Sequence, residues 1–474
     1  MKYISILLTL LLFSCNLCDQ FFNEKIESDR IKSDEVYRDK DLANGTFRGL
    51  AASMHDHLYA SPYCLASFTG LYGDELINPS NPDENQIYRN NIDSKSNLYN
   101  EKFWIAAYNF ILAANITIEA CPNSHNLSDA LKKQLIGEMF FIRAYWFFYL
   151  VNFYGNIPLP LTPDVDKNKY LGRSPITEVY NQIVSDLDTA QSLLDEHYVG
   201  GDGVTYTNER LRPNKATATA MLSRVYLYMR RYSEADSMAT MLINNNRDYS
   251  MEPIKKVFLR ASRETIWQLE AGTPNSSNIN TSEGNKFILS NSPFSNSRIS
   301  ISNSLLLQFE EGDERRKEWV GTFSDQYVVP ARNYYFPYKY KIINGDKQEE
   351  CSIVFRLAEQ YLIRAEARAY TGNLSGAVAD VNMIRVRAGL PPIKADSYSL
   401  KMLLTTIMKE RQIELFAEQG LRWFDLKRTG LLDAVMTAAN LLKERTWIPT
   451  MKYWPIPESE LIKNPNLVQN EGYN

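Results

Sequence analysis

The sequence predicts a mostly α protein in which helical hairpins form a scaffold and one large irregular insertion, with loops and short strands, carries the ligand face. Three observations predict this. The segment Leu135 to Gly155 is apolar on nearly every helical face, with Met139, Phe140, Phe141, Ile142, Tyr145, Trp146, Phe147, Phe148, Leu150 and Val151, so a helix there must be buried. Residues Ser223 to Ala235 can be laid over Ala365 to Ala377, with Tyr232 on Leu374 and Ala235 on Ala377, an offset of 374 − 232 = 142. Between these copies, residues 246–351 change character, to a Ser/Asn/Thr-rich run and then clustered aromatics.

Composition bounds the function. The chain has 474 residues, 44% hydrophobic and 23% charged, which fits a packed globular protein and excludes wholesale disorder. Lys plus Arg total 52 against 56 Asp plus Glu, a net charge of −4. Without a basic excess to neutralise phosphates, nucleic acid is not an expected partner. Aromatics reach 12%, beside 4 His and 5 Cys, so flat amphipathic surfaces are plentiful and metal-binding or nucleophilic side chains scarce.

Taken in order, Lys2 and the apolar run Ile4 to Phe13 are too short to cross a membrane core of about 30 Å, which needs about 20 residues. Residues 1–14 therefore read as an export signal. Leu12-Phe13-Ser14-Cys15 resembles a bacterial lipobox, with Cys15 as the acylated mature N-terminus; Cys18, preceded by bulky Leu17, is the weaker site. Residues 15–34 read as a lipidated N-terminus and polar tether. Cys64, Cys121 and Cys351 are scattered and read as buried apolar residues. Residues 35–474 form one domain, with scaffold at about 35–245 and 352–474.

A helix is expected from Ser33-Asp34-Glu35 through Leu42, Phe47, Leu50 and Met54. Tyr59 to Asn97, rich in Ser, Asn, Pro and Gly, reads as long loop, and helix returns over Tyr99 to Ala120. Arg143 divides the apolar Leu135 segment, which leaves too few residues for a membrane span. Ser174-Pro175 reads as an N-cap with proline at the first helical position, ahead of a face formed by Val179, Ile183, Leu187 and Leu194. The repeated stretches resemble tetratricopeptide hairpins, in which small residues let paired helices approach. In the insertion, Ile266-Trp267-Gln268-Leu269 reads as an alternating strand, followed by a polar run to Ser304 and then by Trp319, Phe323, Tyr327, Tyr334, Tyr335, Phe336, Tyr338 and Tyr340.

Several blocks together resemble the SusD/RagB family of outer-membrane nutrient-binding lipoproteins. After the lipobox come Arg143-Ala144-Tyr145 and Asn152-Phe153-Tyr154-Gly155-Asn156-Ile157-Pro158-Leu159. Tyr361 to Ala367, Asn382 to Pro391, Glu410 to Leu415 and Gly420 to Leu426 follow, and then Trp454-Pro455-Ile456-Pro457 and Asn464 to Asn470. The resemblance implies a mostly helical fold with tetratricopeptide-like hairpins on one side and an irregular ligand-binding face on the other. It also implies a surface-exposed lipoprotein of the outer membrane that partners a TonB-dependent, SusC-like transporter. The ligand would be an oligosaccharide or, in the RagB branch, a peptide.

No cofactor or metal site is expected. His55 and His57 are two apart and face different ways, and no nucleophile-elbow, phosphate-loop, dinucleotide or zinc-protease pattern occurs. Glu410 and Glu414 share a helix face but read as a surface or scaffold pair with Arg411 or nearby bases. A glycosidase instead needs carboxyls flanking a bond in a cleft. Arg422, Asp425, Lys427 and Arg428 read as buried or half-buried ion pairs. Non-catalytic capture remains. A sugar offers an apolar C–H face and an equator of hydroxyls, which calls for flat aromatics beside Arg, Asn or Asp. The candidates are Tyr72, Asp74, Tyr88, Arg89 and Asn91 in the early loop, and Trp319, Tyr334, Tyr335 and Phe336 in the insertion.

Overall fold

The computed structural model describes residues 33–272, 279–289, 299–326 and 329–473. The export signal, Cys15, Cys18, most of the tether, Tyr327 and parts of the polar run lie outside the described residues. Helices dominate. The central one, Asp129–Tyr154, is buried along most of its length. Arg143, the charge that interrupts its apolar run, forms a two-pronged pair with Asp186 at 2.8 and 2.7 Å on the neighbouring helix Ile176–Leu193. Helix Leu98–Ala120 is apolar enough for a membrane span by composition, but it packs on the central helix, and half of its most apolar window is buried.

The internal repeat is a structural repeat. Helices Lys215–Tyr228 and Tyr232–Ile243 make one hairpin, and Leu357–Tyr370 and Leu374–Arg387 make the other. Both turns use one residue in the left-handed region, Arg230 (φ 59°) and Gly372 (φ 87°), again 142 positions apart (372 − 230). Ala235 and Ala377 are both fully buried. The hairpins are neighbours, because helix Tyr232–Ile243 packs on helix Leu357–Tyr370 and the Tyr232 and Tyr370 rings stack at 4.2 Å. The insertion therefore leaves and re-enters the scaffold at adjacent helices.

The strands among the described residues are β1 (Leu76–Ile77), β2 (Tyr198–Val199), β3 (Tyr206–Thr207), β4 (Thr265–Leu269), β5 (Ser300–Ile301), β6 (Val320–Asp325), β7 (Arg332–Pro337) and β8 (Ser352–Arg356). They pair antiparallel as β1–β5, β2–β3, β4–β8 and β6–β7. At the C-terminal end, Trp454 packs on Phe153 at 4.5 Å, and the Asn470 amide donates to the Trp454 and Tyr154 carbonyls.

Four expectations need correction. Tyr59 to Asn97 is not a long loop, for it holds helices Pro62–Tyr72 and Pro82–Tyr88. Ser61 and Asn81 are caps, accepting the Cys64 and Glu84 amides ahead of a proline at the first helical position. Helix Pro62–Tyr72 is buried all round, so no amphipathic period betrays it. The early helix breaks into Ser33–Val36 and Lys40–Asp56, the second capped by Asp39. Pro175 is itself the N-cap of the helix that starts at Ile176. Strand β4 is buried at every residue, not on alternate ones.

The turn geometry predicts an asymmetry between the repeats. Gly372→Ala places a Cβ in the left-handed region and should cost about 1 kcal/mol. Arg230→Gly relieves the same strain and should cost less, despite losing the Arg230 bond to the Arg428 carbonyl. Urea unfolding of both variants checks this, and equal losses would contradict it.

Candidate ligand-binding surface

The insertion is fastened to the scaffold by buried charge. Arg315 reaches Glu410 at 3.0 Å and Glu414 at 3.2 Å on helix Leu400–Leu415, and its own neighbour Asp313 at 2.8 Å. Arg356, at the end of β8, reaches Glu414 at 2.6 Å, Glu264 at 2.9 Å and Glu418 at 2.8 Å. Arg387 pairs with Glu264 and Glu414, and Arg385 with Glu410 and Glu310. Burial would push the Glu414 carboxyl up, but the guanidiniums of Arg387, Arg356 and Arg315 outweigh it and hold the group well below the usual carboxylate range. Glu410 and Glu414 are thus fully buried, so of the two readings the scaffold one holds and the surface one is corrected. Arg411 pairs with Asp425 instead.

On this base the two sequence regions meet. β1, from the early segment, pairs with β5, from the insertion, with Leu76 opposite Ile301 and Ile77 opposite Ser300. The Asn78 amide donates to Ser300 Oγ at 3.2 Å, and the Ser302 amide to the Glu75 carbonyl. β5 in turn lies against β7 of the β6–β7 hairpin. The Tyr63 and Phe287 rings, 4.8 Å apart, tie the same two regions together below.

In the hairpin Phe323 faces Tyr334, Thr322 faces Tyr335 and Ser324 faces Asn333. Opposed residues share a face, so Phe336, Tyr334 and Phe323 form one aromatic strip. Phe336 is buried at its root, over Gly321, while Tyr334 and Phe323 are half-buried. The other face carries Tyr335 beneath the Arg316 guanidinium at 4.8 Å, with Thr322, Ser324 and Asn333 exposed. Arg332 stands 5.2 Å from the Tyr334 ring. Tyr335, half-buried beside the Thr322 and Ser324 hydroxyls and the Asn333 amide, offers what a sugar face and its hydroxyls require, and the opposite face offers the Phe323 and Tyr334 rings beside Arg332.

The predicted site residues divide into three groups. Tyr334 and Tyr335 lie on this hairpin. Tyr88, Arg89 and Asn91 gather at a second place, where the Lys443 ammonium lies 5.0 Å from the Tyr88 ring, Glu444 pairs with Arg89 and Arg445 donates to Asn91. Tyr72, Asp74, Trp319 and Phe336 are buried and offer no face to a ligand, a correction in each case. Tyr72 packs on Trp423 and donates to the Met451 carbonyl, and Asp74 forms a two-pronged pair with Arg422. The Trp319 indole donates to the Ile254 carbonyl, and Lys339 lies 4.9 Å from its ring. Sequence reasoning missed Phe323, Thr322, Asn333 and Arg316 as partners of Tyr334 and Tyr335. The alternation within Val320–Asp325 and Arg332–Pro337 was the signal that could have paired them.

The family described as "SusD family" matches residues 167–473, and a related family described as "Starch-binding associating with outer membrane" matches residues 21–227. SusD-like protein P2 of Formosa agariphila is 27% identical over 421 residues, covering 78% of this chain and 80% of that one. Among solved structures, a SusD superfamily protein from Bacteroides vulgatus superposes with a TM-score of 0.79 at 20% identity, covering 92% of this chain and all of that one. A laminarin binding SusD-like protein superposes with a TM-score of 0.74 at 21% identity, covering 90% and 98%.

At the root of this surface, next to β1, Glu75 is buried and accepts the Ala417 amide at 3.4 Å. Burial, and then the charge of Asp74, push its carboxyl up to about 8, against the opposing pull of Arg422. The folded protein thus holds this proton more tightly than the unfolded chain. Its stabilising contribution is complete below the ordinary value of 4.5 and is lost as pH rises towards 8. Glu75→Gln removes the titration, so the variant should gain stability relative to the parent as pH climbs through that window. Urea unfolding from pH 4.5 to 8 checks it, and a difference that stays constant would contradict it.

Proposed function

The chain belongs to the SusD family, and from that membership we propose that it is a lipoprotein anchored through Cys15 on the outer face of the outer membrane, where it binds a glycan. It captures oligosaccharides and passes them to a TonB-dependent, SusC-like transporter, with no chemistry of its own. The observation that carries the binding role is the β6–β7 hairpin, whose half-buried Phe323 and Tyr334 line one face with Arg332 and whose half-buried Tyr335 lies on the other with Thr322, Ser324, Asn333 and Arg316. Its link through β5 to β1 supports a preformed surface, which lowers the ordering cost of binding. The laminarin ligand in the name of a structural relative points the same way. A non-catalytic role is supported by Glu410 and Glu414, whose carboxylates are committed to buried arginines and cannot flank a glycosidic bond.

Stacking on one ring contributes about 0.5–1.5 kcal/mol. Tyr334→Ala and Phe323→Ala should therefore each weaken oligosaccharide binding by about twofold to tenfold, with cooperative unfolding retained and a stability loss of no more than about 1 kcal/mol. Calorimetric titration against a panel of oligosaccharides and peptides checks this. Peptide affinity without glycan affinity would replace the reading with a RagB-like one, and turnover of the glycan would replace it with a hydrolase.

A further inference from the structure

A cavity of about 360 Å³ opens beside helix Leu98–Ala120, between that helix, the segment after Gly155 and the C-terminal residues, and it shares no residue with the hairpin surface. Its size falls within the range of roughly 300–1,000 Å³ typical of small-molecule sites. Trp104, Tyr108 and Leu112 recur every fourth position and so present one helix face to it, and Pro158 and Pro160 complete an apolar slot. The two rings are held in place. The Tyr108 hydroxyl donates to the Pro158 carbonyl at 3.0 Å, and Trp104 lies edge-on to Tyr154 at 4.8 Å.

The rim is polar and balanced in charge. Asn109 is exposed there, Lys463 pairs with Glu460 at 2.8 Å, and Lys169 pairs with Asp166 at 2.7 Å. Paired lysines and carboxylates offer donors and acceptors without a net field, so the rim selects for neither an anion nor a cation. An apolar slot with flat walls below such a rim matches a neutral ring that is apolar on its faces and hydroxylated at its edge. We propose that this cavity is a second saccharide site, taking one or two neutral pyranose rings. Their C–H faces lie on the half-buried Tyr108 ring, which the buried Trp104 backs at 4.9 Å, and their hydroxyls bond to Asn109, Lys169 and Glu460. Two separate sites on one chain also retain a polymeric glycan better than either alone, because the second contact is intramolecular.

The test uses the protein with its 7 Trp replaced by 5-fluorotryptophan, the Trp104 fluorine resonance being assigned by its loss in Trp104→Phe. The probes are maltotetraose, cellotetraose, laminaritetraose and xylotetraose, with trigalacturonate and the tripeptide Ala-Phe-Ala as comparisons. A neutral tetrasaccharide should shift the Trp104 resonance saturably. Asn109→Ala should weaken that shift's midpoint by about threefold or more. Val165→Arg, at an exposed position in the cavity mouth, should abolish it, and Tyr334→Ala should leave it unchanged. No shift with any neutral saccharide, a shift with the tripeptide or trigalacturonate alone, or a shift that disappears in Tyr334→Ala would each overturn the proposal. Calorimetric binding that depends on Tyr334 but leaves Trp104 silent sinks this site alone. Absence of all saccharide binding sinks the proposed function as well.

Discussion

Glu414 lies with no exposed side-chain surface among the guanidiniums of Arg315, Arg356 and Arg387. Two parts of the ligand side are tied to the scaffold by this contact. Arg315 belongs to the short helix that leads into β6, Arg356 ends β8, and Glu414 lies on the scaffold helix Leu400–Leu415. Burying such groups costs several kcal/mol per ion, and only close, multiply hydrogen-bonded geometry offsets it. Here each guanidinium meets more than one carboxylate. The arrangement contributes little net stability compared with apolar packing, but removing one partner is expensive, at about 3–5 kcal/mol. Its expected consequence is specificity of position, because any other seating of the insertion would leave buried charges unpaired.

That constraint explains how an irregular region can carry a preformed surface. The paired hairpins bring the two ends of the insertion to neighbouring helices, and the β4–β8 ladder closes the base. β1 and β5 then stitch the early segment to it, and β7 lies against β5. Lys443 adds a second fastening on the early segment. Its ammonium donates to the carbonyls of Leu71, Tyr72 and Gly73 at 2.7–3.0 Å and so caps the end of helix Pro62–Tyr72. The loops that bear the aromatics are thus held from both sides.

How much of this was legible in the sequence depended on whether the signal was local. The buried helix around Trp146, the repeat at 142 and the family blocks are written in contiguous residues, and each corresponds to an element of the fold. Helix Pro62–Tyr72 was missed because burial on every face erases the period, although Ser61-Pro62 announced its start. Trp319 and Phe336 could not be told from Tyr334 and Tyr335 by type. What separates them is a cross-strand register and the tertiary cover supplied by Lys339 and Gly321. Whether Glu410 and Glu414 were a surface or a scaffold pair could not be read locally, because two of their partners, Arg315 and Arg356, are about 60–100 residues away in the chain.

The central claim is that Glu414 fixes the insertion on the scaffold. Hydrogen exchange on Glu414→Gln, followed by mass spectrometry, tests it most directly. The account predicts that amides of β4, β6, β7 and β8 lose protection together, while those of the hairpin Lys215–Tyr228 and Tyr232–Ile243 keep theirs. Unchanged protection across β6 and β7, with any effect confined to the residues touching Glu414, would contradict it.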